Sequence, residues 1–286
     1  MCRVKSAQNA HASHFILRHQ EATMHRHSPE FSRFEHDGLH FGYFDAGHRD
    51  GEPILLIHGF ASSALVNWVQ PGWLQTLGEA GRRVIAIDNR GHGRSSKPHD
   101  PAAYHPARMA ADAVALLDHL GIAQADVFGY SMGARISTFL ALEHSGRARS
   151  LVLGGLGIGL VAGVGDWDPI AEALLAPSIE SVTHPRGLMF RTFADKTGSD
   201  RVALAACIAS NRVLVSEGEV ARLDLPVLIG VGTRDDIAGD PHALARLMPN
   251  ARVVDIPDRD HMLAVGDRVF KKAVLEFLDA VGQGLA

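Results

Sequence analysis

Short apolar runs recur along the chain, separated by longer segments whose apolar residues fall at helical spacing. Pro53-Ile54-Leu55-Leu56-Ile57 is continuously apolar, as a strand covered on both faces must be. The same reading predicts strands over 84–87, 125–130, 150–153, 227–231 and 252–256. Between them, helices are predicted over 66–79, 108–120, 131–144 and 270–281. In the second of these, Met109, Ala113, Leu116, Leu117 and Leu120 form one stripe, and Gly121 ends it. Ahead of the first run, 31–36 and 39–45 read as two strands joined at Asp37-Gly38, a strong hairpin turn. Strands alternating with helices predict a parallel sheet with helices on both faces.

One stretch breaks the alternation. Residues 163–219 hold no apolar run of strand type, only short helix-like pieces punctuated by Pro169, Pro177, Pro185, Gly187 and Gly198. They are expected to form an insertion over the C-terminal edge of the sheet. The organisation is therefore an α/β core over 29–162 and 220–286, an inserted helical segment over 163–219, and a polar extension over 1–28. The extension carries His11, His14, His19, His25 and His27, at spacings that match no tight metal-ligand motif. Met24 is a second possible start.

Composition narrows the class. Of 286 residues, 46% are hydrophobic and the formal charge is −4, which suits a globular domain and gives no basic excess for nucleic acid or anionic lipid. Two cysteines, Cys2 and Cys207, cannot build a disulfide framework, and Cys207 reads as a buried small hydrophobe. No apolar run is long enough to span a bilayer, and Phe15-Ile16-Leu17 is too short for a signal-peptide core. A cytoplasmic location and a small-molecule partner are expected.

The chemistry begins at Gly129-Tyr130-Ser131-Met132-Gly133, which follows a predicted strand and opens a predicted helix. A serine on so tight a turn has strained backbone angles and needs small neighbours two residues away on each side. In that context Ser131 is a candidate nucleophile at the rim of the sheet. Its hydroxyl needs a base. Of 17 histidines, His261 lies just after the last predicted strand, at the same rim. A carboxylate must then orient the imidazole, and either aspartate of Gly232-Thr233-Arg234-Asp235-Asp236 can serve, with Asp240 a further fallback. Backbone donors for an oxyanion are expected from Met132 N–H, next to the nucleophile, and from Phe60 N–H in His58-Gly59-Phe60-Ala61. Asp88-Asn89-Arg90-Gly91-His92-Gly93-Arg94-Ser95 reads as a structural turn in which Asp88 and Arg90 satisfy the backbone and each other. No phosphate-binding or metal-ligand pattern appears, so no metal or cofactor is expected.

These pieces together resemble the α/β-hydrolase superfamily over about residues 31–281. The resemblance implies a mostly parallel, twisted sheet of about eight strands with helices on both faces and a helical cap, matching 163–219. In that family the acid stands three residues after the glycine ending its strand, which selects Asp235. Relatives that open epoxides or remove halides carry aspartate at the elbow, so Ser131 points away from those reactions. Carbon–carbon bond hydrolases often have tryptophan after the catalytic histidine, where this chain has Met262. Lactonases and cofactor-free perhydrolases or haloperoxidases stay open, as does a non-catalytic ligand-binding role. The expectation is a carboxylic-ester hydrolase with Ser131, His261 and Asp235 as triad and Phe60 and Met132 as oxyanion donors. Its apolar pocket would be lined by Trp68, Met132, Met262, Trp167 and Met189, with Trp68 equally readable as core.

Overall fold

The computed structural model describes residues 28–163 and 165–285, so the His-rich stretch of the expected extension and Cys2 lie outside the described residues. The elements below belong to one unit, residues 31–286. Eight strands form a single sheet: Ser32–His36 (β1), Leu39–Gly47 (β2), Pro53–Ile57 (β3), Arg83–Ile87 (β4), Ala125–Tyr130 (β5), Ala148–Gly154 (β6), Val227–Gly232 (β7) and Ala251–Ile256 (β8). Their spatial order is β1-β2-β4-β3-β5-β6-β7-β8. β1, β2 and β4 pair antiparallel, and the strands from β4 through β8 run parallel.

Period-two alternation divides each central strand between two cores. Leu55 and Ile57 of β3, with Val127 of β5, face one side. There they meet the apolar stripes of Pro106–His119 (α2) and Met132–Glu143 (α3). Ile54, Leu56 and Phe128 face the other, against Trp73–Glu79 (α1) and Arg268–Gly282 (α9). In α9 the buried positions Phe270, Val274, Phe277 and Leu278 follow the i, i+4, i+7, i+8 spacing of one helical face. Phe270 meets Phe128 and Trp73 edge-on, each at 5.6 Å, in a cluster where each buried side chain contributes about 1.5–3 kcal/mol.

Between β6 and β7 come Asp168–Leu175 (α4), Pro185–Thr197 (α5), Arg201–Ser210 (α6) and Glu217–Val220 (α7), with no strand among the described residues of this stretch. Pro169 and Pro185 stand in first turns, where a missing N–H costs nothing, and Pro177 lies in the link after α4. Ile170, Leu174, Phe190 and Leu204 from these helices pack with Ala61, in the loop after β3. The inserted helices therefore cover the C-terminal edge of the sheet.

The single helix expected over 66–79 is two pieces. A π-helical turn, Leu65–Val69, ends before Pro71 and Gly72, and α1 begins at Trp73. Pro71 has no N–H to continue the ladder, and Gly72 takes a left-handed φ of 83°. The pattern also gave no sign of Pro241–Ala245 (α8), a five-residue helix capped by Asp240, which accepts from His242 N–H at 2.8 Å.

Candidate active site

Ser131 stands between β5 and α3 with φ 54° and ψ −112°, a conformation costing of order 1–3 kcal/mol for a non-glycine residue. The surroundings hold it there. Its N–H donates to Gly154 O of β6 at 2.7 Å. A Cβ on Gly129 would strike the Gly133 carbonyl, and one on Gly133 would strike the Ile57 carbonyl. The two glycines are thus required by the close approach of helix and strands that makes the turn.

The structure brings His261 and Asp235 to this serine. His261 Nε2 is 2.9 Å from Ser131 Oγ, and His261 Nδ1 is 2.8 Å from Asp235 Oδ2. The carboxylate can only accept, so Nδ1 carries the proton and the Nε2 lone pair faces the serine hydroxyl. The other oxygen, Asp235 Oδ1, accepts from Ile237 N–H at 2.8 Å and Ala238 N–H at 2.9 Å. Asp236 is elsewhere, exposed and 3.7 Å from Arg186, and Asp240 caps α8. No role for Tyr130 was expected from the sequence. Its hydroxyl donates to His261 O at 2.6 Å and so fixes the loop carrying the imidazole. Burial first, then the charges of Asp235 and Asp260, push this phenol well above its usual range, which keeps it a donor.

The loop after β3 is held by side chains. Gly59 N–H donates to Asn67 Oδ1 at 3.0 Å, and Ala61 N–H to His92 Nε2 at 3.1 Å. Two imidazoles brace it. His58 Nδ1–H donates to Gly59 O and His58 Nε2 accepts from Asn89 N–H, while His92 Nδ1–H donates to Arg90 O. Burial lowers His58 to about 4 and His92 to about 3, so both rings are neutral scaffold. Phe60 N–H, between the two occupied donors, bonds to no other described residue. Met132 N–H opens α3, where a helix leaves its first donors free. Asp88 supports the same loop, accepting from Ala64 N–H at 2.7 Å and Arg94 N–H at 2.8 Å. Its expected pairing with Arg90 is not seen. Arg90 instead makes two 2.7 Å bonds to Asp112, whose carboxylate is offered from α2.

Two cavities open on Ser131. The larger, about 510 Å³, is mainly apolar and includes Trp167, Met189 and Met262 with His261 at its wall. Trp68, expected in this lining, is fully buried elsewhere. The π-helical turn sends its ring into the core, 4.7 Å from Phe128, while Val66, Asn67 and the capping residue Gln70 line the cavity. The smaller recess, about 50 Å³, includes Met132 and two arginines that the sequence did not single out, Arg135 and Arg212. Cys207 is buried against Met132, its thiol raised far above the usual range by desolvation. Among the described residues, no group of three or more His, Cys, Asp or Glu could hold a metal, and no helix is long and apolar enough to cross a membrane.

A family model described as alpha/beta hydrolase fold matches residues 52–180. A 2-hydroxymuconate semialdehyde hydrolase from Pseudomonas putida is 34% identical over 235 residues, 79% of this chain and 76% of that one. The dihydrolipoyllysine-residue acetyltransferase component of the acetoin cleaving system, also from Pseudomonas putida, is 29% identical over 258 residues. That match takes in 82% of this chain and 65% of the relative, so the chain spans less than two thirds of its length. The crystal structure of the enol-lactonase from Burkholderia xenovorans LB400 superposes with a TM-score of 0.73 at 25% identity, covering 87% of this chain and 100% of the other.

Proposed function

We propose that this chain, which belongs to the alpha/beta hydrolase fold family, is a serine hydrolase that cleaves carboxylic esters of small or medium apolar substrates through an acyl-enzyme. The observation that carries the reading is the hydrogen-bonded line from Ser131 Oγ through His261 to Asp235 at the wall of an apolar cavity. In this reading Ser131 Oγ attacks the ester carbonyl as His261 Nε2 takes its proton, and the buried Asp235 carboxylate stabilises the imidazolium. The carbonyl oxygen becomes an oxyanion facing Phe60 and Met132 N–H, where each such donor is worth about 10²–10³ in rate. Collapse expels the alcohol, which receives the proton from His261. Water then attacks the acyl-enzyme by the same route in reverse and releases the acid. With two cysteines in 286 residues, we place the enzyme in the cytoplasm.

A second reading, cleavage of a carbon–carbon bond beside a ketone, is favoured by the 34% identity to the semialdehyde hydrolase. It uses the same nucleophile and base on a carbonyl whose leaving group is a carbanion. A panel of short-chain aryl esters, lactones, amides and a vinylogous diketone, with peroxide in parallel assays, separates the two. Ester turnover with a burst of one product equivalent per enzyme supports the first reading. Turnover of the diketone with inert esters overturns it.

A further inference from the structure

The small recess beside Ser131 has a charge imbalance that ester cleavage alone does not use. Two of its lining residues are arginines and none is acidic. Arg135, almost fully buried, gives its guanidinium to backbone carbonyls, with Nη1 to Val213 O at 2.6 Å and Nη2 to Gly159 O at 3.1 Å. Arg212 is stacked on Trp167, its guanidinium carbon 3.7 Å from the ring centre. Its Nη1 is buried and hydrogen-bonds to no described residue. Desolvation first, then the nearby charges of Arg135 and Arg186, lower Arg212 to about 9. Among the described residues no carboxylate pairs with Arg212, and the two acids after β7 are engaged elsewhere, Asp235 by His261 and Asp236 by Arg186. A buried cationic donor with no counter-charge is costly to keep unless a ligand completes it.

The geometry also says which part of a substrate would reach it. The general acid must lie within hydrogen-bond reach of the leaving oxygen. His261 lines the large cavity and not the recess, so the alcohol belongs in the former. The recess shares Phe60, Ser131 and Met132 with the reacting centre, and its volume of about 50 Å³ admits only a few heavy atoms. It therefore suits a short acyl chain.

We propose that the recess is a carboxylate subsite in which Arg212 Nη1 donates to the far end of a short acyl chain, making the preferred substrate the half-ester of a short dicarboxylic acid with an apolar alcohol. Trp167 holds the guanidinium plane in place, and Arg135 adds positive potential from behind. The inference rests on the serine-hydrolase reading and adds to it the class of the acyl group.

The test compares benzyl hemisuccinate with benzyl succinamate, which replaces the carboxylate by a neutral amide of the same shape. The wild-type enzyme should cleave the hemisuccinate with at least tenfold higher kcat/KM. In Arg212→Met the ratio should fall to about one, and Arg212→Lys should restore part of it. The ratio, unlike a single rate, does not move if the arginine only supports the fold. A wild-type ratio of one or less, or one that survives Arg212→Met, overturns the proposal. Should Arg212→Met fail to fold, the wild-type ratio and Arg212→Lys decide. Calorimetric titration of Ser131→Ala with both ligands needs no turnover. Tighter binding of the anion there, with neither ester cleaved by the wild-type enzyme, upholds the subsite and refutes ester hydrolysis. Equal binding refutes the subsite.

Discussion

Replacing Asp235 by Asn puts the orientation of His261 to the test. Three donors converge on this carboxylate, His261 Nδ1–H at 2.8 Å on one oxygen and the Ile237 and Ala238 N–H groups at 2.8 and 2.9 Å on the other. An amide can satisfy only one side. With its NH2 toward His261, two donors face each other, and the imidazole relaxes to the tautomer that carries its proton on Nε2 and no longer accepts from Ser131. With its NH2 toward the backbone, two buried N–H groups lose their acceptor, at about 1–3 kcal/mol each. In both orientations the charge that stabilises the imidazolium is gone. An equivalent change in another Ser-His-Asp triad costs about 10⁴ in kcat, or roughly 5 kcal/mol, and we expect a loss of that order. Asp236→Asn removes only a 3.7 Å contact between an exposed carboxylate and a partly buried arginine, so kcat should stay within about threefold. The assay is kcat for a short-chain 4-nitrophenyl ester, with circular dichroism confirming the fold. A larger loss in Asp236→Asn than in Asp235→Asn, or less than tenfold in Asp235→Asn, refutes the assignment.

Tyr130→Phe removes the 2.6 Å bond to His261 O and leaves a buried carbonyl unpaired, so stability should fall by about 1–3 kcal/mol and kcat with it. Unchanged denaturant midpoint and kcat would show that the phenol positions nothing. Gly133→Ala drives a Cβ into the Ile57 carbonyl, backbone against backbone, and should cost at least about 2 kcal/mol, or roughly 5 °C in Tm. A Tm equal to that of the parent protein would mean that the elbow yields more easily than its packing implies. Stability should also decline on acidification below about pH 6.5. His58 and His92 remain neutral in the fold down to about 4 and 3, whereas in the unfolded chain they gain protons near 6.5. Each therefore removes up to about 1.4 kcal/mol per pH unit between the two values. Asp88 and Asp112, raised by burial, take up protons in the fold and oppose this at the acid end. Urea midpoints that stay flat from pH 7 to 5 would contradict the assignment of neutral buried rings.

The sheet was legible because its central strands are buried on both faces, so β3 appears in the sequence as an unbroken apolar run and β5 carries a charge only at Asp126, which pairs with Arg82 and Arg149. Ser131 was legible for a related reason: a strained serine needs glycine at 129 and 133, and that need is written locally. His261 could be picked by its place after the last strand. The residues alone did not separate Asp235 from Asp236, since neighbours in a turn point apart in ways that only the folded loop decides. Trp68 shows the limit of periodicity. A π-helical turn advances each residue by a smaller angle than an α-helix does, which moved the ring from the expected cavity to the core. Arg90 found its acid 22 residues away in α2, a pairing set by packing. Arg135 and Arg212 meet only because the inserted helices return over the sheet, and no spacing in the chain announces that.

The central claim is that Ser131 attacks an acyl or phosphonyl centre with His261 as its base. Incubation with a fluorophosphonate followed by peptide mass spectrometry tests it most directly. One equivalent of label on Ser131 is expected, with loss of turnover of a short-chain aryl ester in step with labelling, and neither label nor turnover in Ser131→Ala. Folded wild-type protein that takes up no label and leaves the ester intact, or Ser131→Ala that still cleaves it at the parent rate, would contradict the account.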